Sequence, residues 1–502
     1  MINLRDWSVG DQPAVIYDMT VPGAWVQLRQ FYAHRGNRPL GRILEIAENH
    51  GVVSVLVERR YVDADWRSQL ARFYNGTLRR FPSVCHRMHF FGAPVPDDLS
   101  QLDALQSSYH GYTILRPFPI APVGRTMIRP PAELADAVRC ETTEEVDVFG
   151  YRLKITAMPF ISQDTQLLRC AHAAVWMVLR HASATYGLPQ ALPHTIFEAA
   201  LGGVMAGRQL PNDGLSPYQL MAAMESLGLS PTSKNLPQSS EDEQASRSLR
   251  LYGMACRYIN SALPPIVISN THAWVLVAYR RAASAGNTKI QLWRHDDARG
   301  PYLPVDDPWA EPEDAHQPWT AMYLPLLPKV YLDAERAETV GRSFLNAFRN
   351  SALYSGSTVQ AADNRTNEDE QCTVRTFLMT STKFKQTLAQ RGVPGELAAA
   401  YRRTPMSRYI WVVEIVDRLS RSNKQADVLG EIILDSTLTQ FEPLSDPNCA
   451  LAVHIGTFAF IPGIDQSPHR QLNLPHMSAY LSACPLLAVG AGEEPDEPST
   501  PD

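Results

Sequence analysis

The chain has 502 residues, 45% apolar and 20% charged, an ordinary globular composition with enough apolar residues for more than one core. The net charge of −6 argues against a strongly basic nucleic-acid binder, so no nucleic-acid partner is expected. The 38 prolines predict many loops and short strands rather than long helical bundles.

Cysteines stand at Cys85, Cys140, Cys170, Cys256, Cys372, Cys449 and Cys484. They are odd in number and scattered, with no CxxC pair, so a disulfide framework is not expected. The first residues, MINLRDWSVGDQPAVIYD, lack a basic stretch followed by an apolar one, so no secretory signal is visible. No uncharged apolar run reaches the length of about 18 residues that a membrane span needs. The expectation is a soluble cytoplasmic protein with reduced thiols and no membrane partner.

Three segments emerge in chain order, followed by a tail. The first, residues 1–150, mixes strands and helices as an α/β flanking domain. GVVSVLVERRYV (51–62) reads as a β-branched strand running into charge. WRSQLARFYNGTLRRF (66–81) has helical apolar spacing at Trp66, Leu70, Phe73 and Tyr74. HGYTILRPFP supplies a further strand, stopped by prolines.

The second segment, residues 151–330, opens with an apolar helix from about Cys170 to Ala184 and continues with a helix in SPYQLMAAMESLG (216–228). PPIVISNTHAWVLVAYRR (264–281) is a pair of β-branched runs interrupted at SNTH. KIQLWRHDDARGPYLPV is a strand ending in a polar turn. Helices followed by antiparallel strands indicate an α+β fold rather than a doubly wound one. The third segment, residues 331–490, is β-rich and is a candidate to complete the core sheet. VRTFLMTSTKFKQTL, RYIWVVEIVDRL, VLGEIILDST and ALAVHIGTFAFI read as strands, with one helix between the first two. PQSSEDEQASRS (237–248) and SGSTVQAADNRTNEDEQ (355–371) read as flexible insertions, and residues 491–502 as a disordered tail. No internal repeat is visible.

The chemistry concentrates in the second segment. A helix starting at Cys170 places its thiol among unpaired backbone N–H groups, where the helix dipole and the adjacent Arg169 favour a thiolate. The run AHAAVWMVL is apolar on all faces except at His172, which fits a buried helix presenting a nucleophile at a cleft. Equally, a free cysteine is often only a small core residue. A thiol nucleophile needs a base, and the base needs an orienting acceptor. His272, at the start of the strand HAWVLVAY, is the candidate base. Asp296 and Asp297, at the end of the next strand, are candidate acceptors, although DDARG could also be a solvated turn. His172, two positions along the helix from Cys170, should point elsewhere.

The segment 160–310 resembles the papain-like cysteine peptidases, and within them the bacterial C39-like branch. The matching residues are Gln163 and Cys170 in QDTQLLRCAHAA, His272 in NTHAWVLV and Asp296 in HDDARG. The resemblance implies a catalytic helix packed on an antiparallel sheet, with Cys170 attacking a carbonyl, His272 carrying the proton and Asp296 orienting the imidazole. Asp296 is preferred to Asp297 because its spacing to Gly300 matches the family's D-x-x-x-G turn. The resemblance also implies a glutamine donor to the oxyanion, usually six residues before the cysteine. Here that position is Asp164; Gln163 lies one residue further away, and Gln166 is the alternative.

The sequence therefore leads to a cysteine peptidase acting on a peptide or isopeptide bond of a protein or peptide substrate. Acyltransferase or amidase chemistry on the same triad is an alternative, as is a non-catalytic papain-like binding module or regulatory effector. The flanking segments are long for a minimal peptidase and suggest substrate selection, autoinhibition or a protein-partner platform. No cofactor is expected. Cys85, His86 and His89 in SVCHRMHFF lack a second ligand pair at zinc-finger spacing, so they read as a packed strand and no metal site is expected. HExxH, GxSxG, GxxxxGK[ST] and GxGxxG are all absent, which disfavours zincins, serine hydrolases and nucleotide-binding enzymes.

Overall fold

A computed structural model describes residues 12–32, 37–117, 123–164, 168–201, 214–236, 244–269, 272–284, 287–305, 319–364, 372–417, 425–439, 450–461, 470–473 and 480–483. The fold is mixed helix and sheet. Every strand pairing among the described residues is antiparallel, which is the α+β arrangement. The chain divides into two compact units: Met1–Tyr252 with Leu263–Pro328, and Gly253–Ala262 with Lys329–Asp502. Among the described residues no helix is long and apolar enough to cross a membrane.

The first unit begins with a sheet in the order β1 (Ala14–Asp18), β2 (Ser54–Tyr61), β3 (Cys85–Phe91), β4 (Tyr109–Leu115) and β5 (Val123–Ile128). Helices α1 (Ala24–Tyr32), α2 (Arg38–Asn49) and α3 (Ala64–Arg72) are interleaved with these strands. The helix expected across 66–81 ends at Arg72. Asp63 caps its start by accepting the Trp66 N–H, while Asn75 and Gly76, both poor helix formers, fall in a short 3₁₀ turn.

Strand β6 (Val138–Arg139) and the hairpin β7 (Thr142–Val148)–β8 (Tyr151–Ala157) follow. Then come α4 (Cys170–Tyr186), α5 (Pro193–Leu201), α6 (Pro217–Ser226), β9 (Thr232–Asn235) and α7 (Gln244–Asn260), whose residues from Gly253 onward belong to the second unit. The central sheet adds β10 (Ile266–Ile268), β11 (Ala273–Ser284), β12 (Asn287–Asp296), β13 (Gly300–Val305) and β14 (Ala321–Leu324). Its order is β13-β12-β11-β10-β14-β9, with β6 also on β11.

The boundary expected near residue 150 does not separate two compact units. β6 pairs with β11, the Cys140 N–H donates to the Val277 carbonyl, and the Met158 N–H donates to the Tyr302 hydroxyl. These bonds tie the N-terminal segment to the central sheet.

The second unit comprises α8 (Ala334–Arg349), α9 (Thr358–Asp363), β15 (Cys372–Thr380), α10 (Ser381–Thr387), α11 (Gly395–Arg403), β16 (Tyr409–Asp417), β17 (Gln425–Asp435), β18 (Ala450–Ile455), β19 (Phe458–Ile461), β20 (Arg470–Asn473) and β21 (Tyr480–Ala483). Among the described residues its strands form a sheet of their own, in the order β15 to β20 with β21 on β17, and none joins the central sheet. The two stretches read as flexible insertions are partly ordered. Residues from Gln244 belong to α7, and α9 lies within 355–371, capped by Ser357 and anchored by ion pairing of Asp363 with Arg349. The remaining parts, 237–243 and 365–371, and the tail 491–502 lie outside the described residues.

One row of the second sheet is ionisable and buried. Arg375 stands opposite Glu414, Glu414 opposite Glu431, and Glu431 opposite His454, on four successive strands. Arg391 reaches in to pair with both glutamates. Two arginines and two glutamates balance in charge, and burial pushes the His454 pKa down to about 4, so it is neutral at pH 7. Replacing Glu414, which is fully buried, with Ala would take from Arg375 its paired carboxylate and leave Arg391 with Glu431 alone. Urea denaturation of the full chain is expected to show a loss of about 3–5 kcal/mol for Glu414→Ala, against less than about 1 kcal/mol for Glu396→Ala on the more exposed first turn of α11.

Candidate active site

Helix α4 is buried on nearly all sides. Ala171 to Leu179 are at most 4% exposed, and Gly187 ends the helix in the left-handed conformation at φ 72°. Trp176 donates to Asp65 at 3.2 Å, and Arg180 pairs with Glu144 at 3.0 Å, so the helix is pinned to α3 and to the β7–β8 hairpin. The loop leading into it is closed by Asp164, whose Oδ1 accepts the Leu168 N–H at 2.8 Å while its own N–H donates to the Leu168 carbonyl. Asp164 is thus used structurally. No side chain caps the N-terminus of α4, where Cys170 is the first residue. Cys170 is partly exposed, whereas Cys85, Cys140 and Cys256 are buried.

His272 immediately precedes β11. Its N–H donates to Ser269 Oγ at 3.1 Å and its carbonyl accepts the Ser269 N–H at 2.9 Å, which fixes its backbone at the rim of the sheet. The Cys170 thiol lies close enough to its imidazole to raise the imidazole pKa by hydrogen bonding. Nε2 lies 3.0 Å from Asp296 Oδ1 and 3.5 Å from Asp297 Oδ1. Asp296 Oδ1 also accepts the Ala298 N–H at 3.0 Å, which locks the carboxylate. Asp296 closes β12, pairs with Gly300 across the turn, and follows a bulge after Arg294. Gly300 has φ +133°, and a Cβ there would meet Arg42 Cβ at 2.7 Å, so the turn requires glycine.

Asp297, read from sequence as possibly a solvated turn residue, is 1% exposed. Its side chain is turned towards His272. The Gln163 backbone N–H faces Asp297 and draws its pKa down, yet among the described residues no donor completes a hydrogen bond to either of its oxygens. This places Gln163 beside the carboxylates through its main chain. Gln166, the alternative oxyanion donor, lies outside the described residues. His172 is buried, stacked on Phe197 with ring centroids 6.0 Å apart, and turned into the helical layer. Burial and the nearby Arg169 lower its pKa to about 4. Cys85, His86 and His89 lie on β3, where His89 bonds Glu58 and Tyr109.

Sequence reasoning missed the aromatic and cationic surround. Trp274 packs on His272 at 5.6 Å and on Trp319 at 5.8 Å. The Arg294 guanidinium lies over the Trp274 ring at 4.8 Å, with its NH2 3.7 Å from Asp296 Oδ2. The available signal was strand periodicity. Trp274 is two residues from His272 and Arg294 two from Asp296, hence on the same faces.

The electrostatics favour a charged imidazole. Burial would lower the His272 pKa, but the hydrogen bonds to Asp296 and Cys170 and the charges of both aspartates push it up to about 11. For Asp296, burial is outweighed by the hydrogen bond from His272 and its charge, with help from Arg294, and the pKa falls. For Asp297, burial and the charge of Asp296 outweigh the attraction of His272 and raise the pKa to about 7. Both carboxylates can only accept when ionised, so Nε2 carries a proton and Nδ1 is the nitrogen left to exchange one.

No protein-family model matches this chain, and no curated protein matches it.

Two outcomes are expected. Iodoacetamide labelling of the folded protein, read by mass spectrometry, should modify Cys170 ahead of the buried Cys85, Cys140 and Cys256. The raised His272 pKa also sets a direction for stability. Its protonation contributes stability that is full below the ordinary value of 6.5 and is lost as pH rises through about 11. In ¹⁵N-histidine NMR spectra, His272 should remain protonated from about pH 6 to 9 and titrate at lower pH in Asp296→Asn.

Proposed function

We propose that this chain is a thiol-dependent hydrolase with a papain-like catalytic core, cleaving a peptide or isopeptide bond. The observation that supports this reading is the ordered series Cys170–His272–Asp296: a partly exposed thiol at the start of a buried helix, near enough to an imidazole to raise its pKa, and an imidazole Nε2 held 3.0 Å from a locked carboxylate.

In this reading the proton given up by Cys170 already rests on His272 as a thiolate–imidazolium pair, and the thiolate attacks the carbonyl carbon of the substrate. The developing oxyanion sits at the uncapped N-terminus of α4, where first-turn backbone N–H groups have no partner within the helix. The Gln163 side chain is the proposed additional donor. His272 then protonates the leaving amine, an acyl-thioester forms on Cys170, and the imidazole activates a water that releases the acid. Asp296 keeps Nε2 protonated and balances the imidazolium. Trp274 and Arg294 shelter the His272–Asp296 bond from solvent and strengthen it.

The test combines a biotinylated peptidyl electrophile with a degradome peptide library read by mass spectrometry. Wild type should be labelled and should cleave a defined subset of peptides. Cys170→Ala should lose both, with turnover falling by at least about 10³-fold. Asp296→Asn should retain more activity than Asp296→Ala, because an amide still orients the imidazole. Labelling and cleavage that survive Cys170→Ala would overturn the assignment.

A further inference from the structure

The catalytic reading employs one carboxylate, yet two converge on the same imidazole nitrogen. We propose that His272 Nε2, Asp296 and Asp297 form a divalent transition-metal site, suited to zinc, that holds the hydrolase in an inactive state when occupied. The proposal rests on the thiol-hydrolase reading for its consequence but not for the binding itself.

The donor atoms of these three residues lie within 4.8 Å of one another. Nε2 stands 3.0 Å from Asp296 Oδ1 and 3.5 Å from Asp297 Oδ1. Ligands about 2.0–2.2 Å from a tetrahedral zinc stand roughly 3.3–3.5 Å from each other, so these separations need only small adjustment. Asp297 supplies the independent observation. It is 1% exposed, among the described residues neither oxygen completes a hydrogen bond, and its Oδ1 is 3.5 Å from Nε2. A buried carboxylate so poorly hydrogen-bonded is costly unless a proton or a cation satisfies it. One imidazole and two carboxylates match the mixed nitrogen and oxygen preference of zinc, and the two carboxylates neutralise a divalent charge within the buried site. Ala298 still donates to Asp296 Oδ1, and the contact of Arg294 with Oδ2 leaves Oδ1 to the metal.

The consequence follows from proton balance. The metal takes the Nε2 lone pair, and the Nε2 proton leaves to solvent together with any proton on Asp297. The imidazole then cannot turn Nε2 to Asp296 as a donor, and a metal-bound ring is a poor acceptor for the thiol proton. Cys170 contributes no ligand, which sets this site apart from a metal bridged by the thiol.

Cobalt(II) is the probe, titrated into metal-free full-length protein and read by its visible d–d bands. Cys170→Ala should bind one cobalt ion, with d–d absorption and no sulfur-to-metal charge-transfer band, and zinc should displace it. Adding Asp297→Asn to Cys170→Ala should weaken binding by about 10-fold or more; His272→Gln is a second variant, and circular dichroism checks that each is folded. Loss of binding in Cys170→Ala, a thiolate charge-transfer band in wild type, or unchanged affinity in folded Asp297→Asn and His272→Gln would each overturn the site. Cobalt binding without any Cys170-dependent hydrolysis would instead overturn the reaction and leave the site standing.

Discussion

His272 has to be held between a thiol on one side and two buried carboxylates on the other, and much of the first unit serves that constraint. An imidazolium is expensive to bury, and two carboxylates without a cation are more so. Each group makes the others tolerable, and the mutual dependence appears in the opposed pKa directions of His272 and Asp296. The geometry must be tight, because the hydrogen bond of 3.0 Å to Asp296 weakens as it lengthens.

Tight geometry requires rigid supports, and these come from beyond the residues that carry the chemistry. Helix α4 sets the position of Cys170, and it is anchored by residues far away in sequence. Trp176 bonds Asp65, and Arg180 bonds Glu144. Asp65 lies on α3 and Glu144 on β7, so the N-terminal 150 residues form part of the scaffold of the site. Asp164 and Leu168 close the loop before the helix, which fixes where its first turn begins. Buried side chains such as Val175, Trp176, Met177, Val178 and Leu179 each contribute about 1.5–3 kcal/mol on leaving water, enough to hold an uncapped helix start in place.

The elements with strong local signals were legible in the sequence. The apolar run after Cys170 read as a buried helix, and the β-branched runs on either side of His272 and before Asp296 read as strands. Antiparallel pairing of neighbouring strands then put His272 and the aspartates at one rim. What escaped depends on contacts that no local pattern records. The apparent helix continuing past Arg72 had the right spacing, but Asn75 and Gly76 favour a turn. Residues Gln244 to Ser248 looked too polar to fold yet begin α7, where helix propensity outweighs the lack of apolar residues. The merging of residues 1–150 with the central sheet depends on β6 meeting β11, a pairing between segments about 140 residues apart in the chain.

Asp297 is the most instructive residue, because its placement departs from a sound rule. Consecutive residues of a strand face opposite sides of a sheet, so adjacent aspartates should diverge, one to His272 and the other to solvent. His295 and Asp296 do diverge: His295 is buried against Phe160 and Tyr302. The alternation stops at Asp296. A bulge follows Arg294, the Arg299 N–H donates to the Asp296 carbonyl, and Gly300 takes φ +133° to re-enter the sheet. In that turn the chain no longer flips from residue to residue, and Asp297 comes round to the side of Asp296. The same turn that locks the orienting carboxylate therefore delivers a second one to the imidazole. Backbone geometry at the end of β12, more than residue type, places two negative charges on one nitrogen.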